Sequence, residues 1–173
     1  ITTLITLPLS SNEIENAISL VSENSNTVLA PEADYSDGIA VKSALEILDR
    51  IGAKKICPIH EVKSTDDCFS ETVSELRKQG FTQISLSVSQ DALNDPDKVM
   101  SEYEQIFKTI VRSDDKSFVF YPFIPDYISA TNPGDGTGCL GCFAYGICHG
   151  AHSGAECDII RKQTECALAN TAE

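Results

Sequence analysis

From Thr3 to Phe123 the chain switches repeatedly between two hydrophobic periods, and this switching constrains the fold more than any other feature of the sequence. Thr3-Leu-Ile-Thr-Leu7 is β-branched and alternates, which predicts a strand. Ser10 and Glu13 then stand in the relation of a capping box, with Leu9 and Ile14 spaced as a hydrophobic staple across it. Ile14, Ala17, Ile18 and Val21 follow as one helical stripe. A loop through Pro31 leads to a second stripe, Val41, Ala44, Leu45 and Leu48, which Gly52 is placed to end. Between these two helices the sequence predicts at most a short extended piece at Val28-Leu29.

The pattern continues with a compact apolar run, Lys54 to Ile59, in which Pro58 marks a strand end. Phe69, Thr72, Val73 and Leu76 form a third stripe that stops at Gly80, and Phe81 to Val88 alternates as a strand. Asp95-Pro96 supplies an N-cap and a first-turn proline for a helix carrying Val99, Tyr103, Ile106, Phe107 and Ile110. Ser117 to Phe123, holding Phe118, Phe120, Tyr121 and Phe123, reads as a last, buried strand. The predicted order is strand, helix, helix, strand, helix, strand, helix, strand. Such an order implies an α/β fold with a mostly parallel sheet flanked by helices.

Composition narrows the partners. Of 173 residues 26 are acidic and 13 basic, a net charge of −13, which repels phosphate backbones and anionic lipid headgroups. Nucleic acid is therefore not an expected partner. No apolar run approaches the ~20 residues of a membrane-spanning helix, so no membrane span is expected. The chain opens on Ile1 without a signal-type segment, as a processed or trimmed piece would.

Beyond Pro125 the chemistry changes. Thr131 to Gly138 is a turn-forming run of Gly, Pro, Asn and Asp, and a boundary near Ile128 divides an α/β core, 1–128, from a Cys-rich extension, 129–173. Cys139, Cys142, Cys148, Cys157 and Cys166 are separated by 3, 6, 9 and 9 residues among small residues that bury little core. A disulfide framework is the leading reading, and it places the protein outside the cell. Cys57 and Cys68 are candidates to pair with each other, and seven cysteines leave one over. The alternative is zinc held by Cys139, Cys142, Cys148 and His149, with His152 nearby, because C-x-x-C lets two thiolates grip one tetrahedral ion.

Three stretches carry a family resemblance. They are Thr3 to Ile18, similar to the third strand and following helix of a von Willebrand factor type A domain, Tyr35 to Ile56, similar to its next helix and fourth strand, and Ser74 to Val88, similar to the helix and fifth strand that follow, so the resemblance covers that domain's later two-thirds. That resemblance implies adhesion, or matrix or filament assembly, through protein contacts. The family's Asp-x-Ser-x-Ser metal motif is absent from this chain, and the loops that would complete its site read Glu32 to Asp37 and Ile59 to Val62. Asp34, Ser36 and Glu61 remain as a degenerate site for calcium or magnesium. The resemblance also implies that the family's first two strands are missing. Either this sequence closes a smaller sheet of its own, or, the favoured expectation, a partner or companion chain or self-assembly into an oligomer completes the sheet.

No catalytic constellation is assigned. His60, His149 and His152 are the three histidines, and no flanking signature marks any cysteine as an activated nucleophile. No phosphate-binding loop is present. The expected function is an extracellular, non-catalytic interaction or structural module. The alternatives are a zinc-binding protein and a secreted α/β hydrolase or thiol-redox enzyme with its site at strand ends near His60 and Glu61.

Overall fold

The computed structural model describes residues 3–64, 68–89, 91–92, 95–111 and 118–121. Five strands, β1 (Thr3–Pro8), β2 (Thr27–Ala33), β3 (Ile59–Val62), β4 (Gln83–Val88) and β5 (Val119–Tyr121), alternate with four helices. The helices are α1 (Ile14–Glu23), α2 (Gly38–Ile51), α3 (Phe69–Lys78) and α4 (Pro96–Val111). The strands form one parallel sheet in the order β1-β2-β3-β4-β5. The α/β class with a parallel sheet flanked by helices is thus as expected.

Several expectations are corrected. A full strand, β2, separates the first two helices, where the sequence suggested only a short extended piece. Pro31 lies inside it, although proline cannot donate to a ladder. The β2–β3 ladder tolerates this by skipping: Leu29 bridges Ile56, and regular pairing resumes only at Glu32 and Ile59, so Pro31 and Pro58 both fall in the gap. For the same reason the third strand begins at Ile59 instead of Lys54, and Ala53–Lys55 forms a 3-10 turn. The second correction concerns the gap expected at the sheet's centre. β1 lies directly against β2 over six register pairs, Thr3 with Thr27 through Pro8 with Glu32, so the described sheet is continuous.

Helix ends follow local chemistry. Asp37 caps α2, its side chain accepting from the Ile39 N–H at 2.9 Å, and Gly52 ends it at φ 81°. Asp95 accepts from the Lys98 N–H at 3.2 Å at the start of α4. The capping box expected at Ser10 does not form: Glu13 is the N-cap, and Ser11 Oγ accepts from the Glu13 N–H at 3.2 Å. A turn from Pro8 O to the Ser11 N–H, at 2.9 Å, brings Ser11 to that position.

The strand order decides where the core sits. Each connection joins neighbouring strands and steps the same way, so right-handed crossovers carry all four helices to one face. Register shows which side chains face them. Leu29, Val62, Ile84, Leu86 and Val88 share one face and belong to a single core with Val21, Ile47, Phe69, Leu76, Val99 and Tyr103 from the helices. Val28, Ala30 and Ile59 point the other way, and with Cys57 they are buried yet stand outside that core. No described helix is long and apolar enough to cross a membrane.

Candidate functional site at the carboxyl edge of the sheet

In a parallel sheet the loops that leave the carboxyl ends of the strands gather along one edge, the usual place for ligands in α/β folds. Here the loop after β2 and the end of β3 meet there. Asp34 closes that loop: its Oδ1 accepts from the Ser36 N–H at 3.0 Å and from Ser36 Oγ at 2.5 Å. The turn aims Tyr35 inward, where it is 2% exposed. Tyr35 is fixed at both ends, its hydroxyl donating to Pro31 O at 2.8 Å and its N–H donating to His60 Nδ1 at 3.0 Å.

His60 pairs in register with Ala33 and Leu86 and is 1% exposed. With Nδ1 accepting, the neutral imidazole is assigned its proton on Nε2. Burial pushes the Tyr35 phenol far above its ordinary range, and the nearby Cys57, Glu32 and Glu61 push it in the same direction. That hydroxyl is a donor and not an acid. Burial likewise pushes the Cys57 thiol up to about 12, so Cys57 is chemically quiet.

Two clefts open at this edge. The larger, about 780 Å³, is lined by Tyr35, Ser36, His60, Cys68, Ser70 and Lys78 among others. The smaller, about 360 Å³, is lined by Ser10, Glu32, Asp34, Asp37, Ile39 and Glu61 among others. Cys68 is exposed at the start of α3, where the Ser70 N–H donates to Glu102 Oε2 at 3.0 Å, so a carboxylate from α4 satisfies part of that helix terminus.

The candidate residues named from sequence divide accordingly. Asp34 and Glu61 do reach one cleft, but Ser36 engages Asp34, and Lys63 Nζ lies 2.8 Å from Glu61 Oε2. Among the described residues no group of three or more His, Cys, Asp or Glu is placed to hold a metal. The expected bond between Cys57 and Cys68 is not formed: both are free thiols, one buried behind the sheet and the other exposed. Cys139, Cys142, Cys148, Cys157, Cys166, His149 and His152 lie outside the described residues, as do the boundary near Ile128 and Phe123. Within the aromatic run, Phe118 is buried under Arg77, 5.0 Å from its ring, and Phe120 packs 6.1 Å from both Tyr103 and Phe107. This part of the run is core.

Sequence reasoning placed a site near His60 and Glu61 but missed the Tyr35–His60 bond and the Glu102 cap. Twenty-five residues separate Tyr35 from His60, and no local pattern signals a contact of that range. No protein-family model matches this chain, and no curated protein matches it significantly.

Proposed function

We propose that this chain is an extracellular protein-interaction module, of the adhesion or assembly kind that its resemblance to a von Willebrand factor type A domain implies, and that protein from outside the described sheet completes it. The observation that carries this reading is a parallel sheet whose described helices all lie on one face, while Val28, Ala30, Ile59 and Ser85 on the other face are buried as well. All-parallel sheets are normally covered on both faces, and here the described helices serve only one. The acidic balance of −13 favours a basic partner surface. The five cysteines of the extension are the composition that a disulfide-stapled segment outside the cell would have.

The test is the native mass of the protein from its own source, with and without reduction and alkylation. A companion chain or an oligomer, with the extension's cysteines alkylated only after reduction, is the expected result. A lone chain whose extension alkylates freely and carries stoichiometric zinc would overturn the reading.

A second reading has its own support. His60, held at Nδ1 and lining the same larger cleft as Cys68, stands where α/β enzymes keep their chemistry. Under this reading the chain is a secreted hydrolase or thiol enzyme. Its test is turnover of simple ester and disulfide substrates, expected to vanish in His60→Gln with the fold retained. A rate that survives that substitution would remove this site from consideration.

A further inference from the structure

We infer that the smaller cleft, where the end of β1, the Asp34 loop and the first turn of α2 meet, is a docking groove for an arginine-bearing segment of a partner polypeptide. This rests on the interaction-module reading and names the chemistry its partner presents. The cleft is about 360 Å³, near the lower end of the ~300–1,000 Å³ of ligand pockets. That volume takes a long side chain and is far more than a single ion fills. The described residues lining it fall into two sets. Glu32, Asp34, Asp37 and Glu61 are carboxylates, while Pro8, Leu9, Ile39 and Ala40 are apolar, and no basic residue is among the lining.

Folding accounts for neither set. The helix α2 meets the core through Val41, Ala44, Ile47 and Leu48, whereas Ile39 stands outside that core and is 75% exposed, more than any other large hydrophobic residue among those described. The carboxylates are only half used. Asp34 accepts from Ser36 through Oδ1, Asp37 accepts from the Ile39 N–H through Oδ1, and Glu61 meets Lys63 through Oε2. Asp34 Oδ2, Asp37 Oδ2 and Glu61 Oε1 take no hydrogen bond from a described residue. The Lys63 side chain is 63% exposed, and a pair of that kind is weakly held. The N-terminus of α2 favours an anion, but Asp37 already answers it. Acceptors in excess, beside an exposed apolar side chain, suit a cation on an apolar stem: arginine and lysine lay their methylenes along such surface and keep the charge among oxygens. Arginine fits better, because its planar fork offers five donors to several carboxylates and is the more easily desolvated. A bare metal ion would leave the apolar lining unused, and no described group of three or more His, Cys, Asp or Glu is placed to hold one.

Amide shifts of the full, nitrogen-15-labelled chain test this, with the capped peptide Gly-Arg-Leu-Gly as probe at up to ~5 mM. The expected result is a saturable shift at the amides of Asp34, Asp37, Ile39 and Glu61, weaker with lysine in place of arginine, absent with glutamate, and reduced in about 0.5 M salt. Glu61→Gln and Ile39→Ser should each weaken binding about two- to fivefold. Glu46→Gln, exposed further along α2, should leave it unchanged, and circular dichroism of each variant checks that the helices remain. No saturable shift at these amides, shifts spread evenly over the acidic surface, binding that ignores both substitutions, or calcium moving these amides where the peptide does not would each overturn the proposal. The same two variants applied to the native assembly separate it from the reading beneath it. A companion chain or oligomer held equally well by Glu61→Gln and Ile39→Ser removes this cleft and leaves the interaction module standing. A native chain with no macromolecular partner defeats the interaction module as well.

Discussion

The two faces of the sheet are built from the same five strands and differ in almost everything else. On the helix-covered face Leu29, Val62, Ile84, Leu86 and Val88 meet a helix layer centred on Phe69 and Tyr103, whose rings stand edge to face 5.3 Å apart. On the opposite face register places Leu4, Thr6, Val28, Ala30, Glu32, Ile59, Glu61, Gln83, Ser85 and Ser87, a smaller and more polar set of which Val28, Ala30, Ile59 and Ser85 are nonetheless buried. The difference arises because a parallel strand alternates its side chains strictly, so the two faces can be composed independently. The large apolar contacts belong to the first face, and the second is built from smaller side chains.

The largest expected effect sharpens that contrast. Tyr103→Ala removes a fully buried ring that touches Phe69, Phe107 and Phe120, and should lower unfolding free energy by ~3–5 kcal/mol in a denaturant titration. Thr6→Ala, exposed on the other face, should change it by no more than ~0.5 kcal/mol. Equal losses would break the comparison.

His60 marks where the two regimes meet, a polar side chain on the packed face at its carboxyl end. His60→Ala strands the buried Tyr35 N–H without its acceptor, which should destabilise by ~1–3 kcal/mol in the same titration. A smaller loss, ~1 kcal/mol, is expected for Asp37→Ala, which uncaps α2.

The smallest effect is one of pH. Burial works to raise the Asp34 carboxyl, but the hydroxyl and N–H of Ser36, aided by the electrostatics of the neighbouring His60 and Lys63, outweigh it and hold the group below its ordinary 3.8. A carboxyl depressed in the folded state adds stability that is fully present above the unfolded value and fades as pH falls through the folded one. Thermal melts between about pH 5 and pH 2 should therefore show a shallower acid limb for Asp34→Asn than for the wild-type chain. Superimposable limbs would show that the loop does not hold the group in this way.

Much of this was legible from sequence for a physical reason: helix stripes and strand alternation are local. Val41 to Leu48, Phe69 to Leu76 and Val99 to Phe107 all became the helices their spacing announces, and Asp95, Gly52 and Gly80 took up their end positions. What misled was local as well. Pro31 reads as a loop residue because the sequence cannot show that its neighbour's ladder skips that rung. Cys57 and Cys68 read as a pair because they are close in sequence, yet one faces into the buried sheet and the other lies on the surface.

By itself, then, the sequence determined the α/β class, the helices and their ends, the acidic character, and the segment near His60 and Glu61 as chemically distinct. These rest on short-range periodicity and on side-chain type. Only the tertiary structure decided the strand order, the confinement of the helices to one face, and the bond from the Tyr35 N–H to His60. Each of these depends on which distant segments become neighbours. A right-handed crossover repeated in one direction turns a list of elements into a sheet with its described helices on one side, and that handedness acts on the folded chain as a whole.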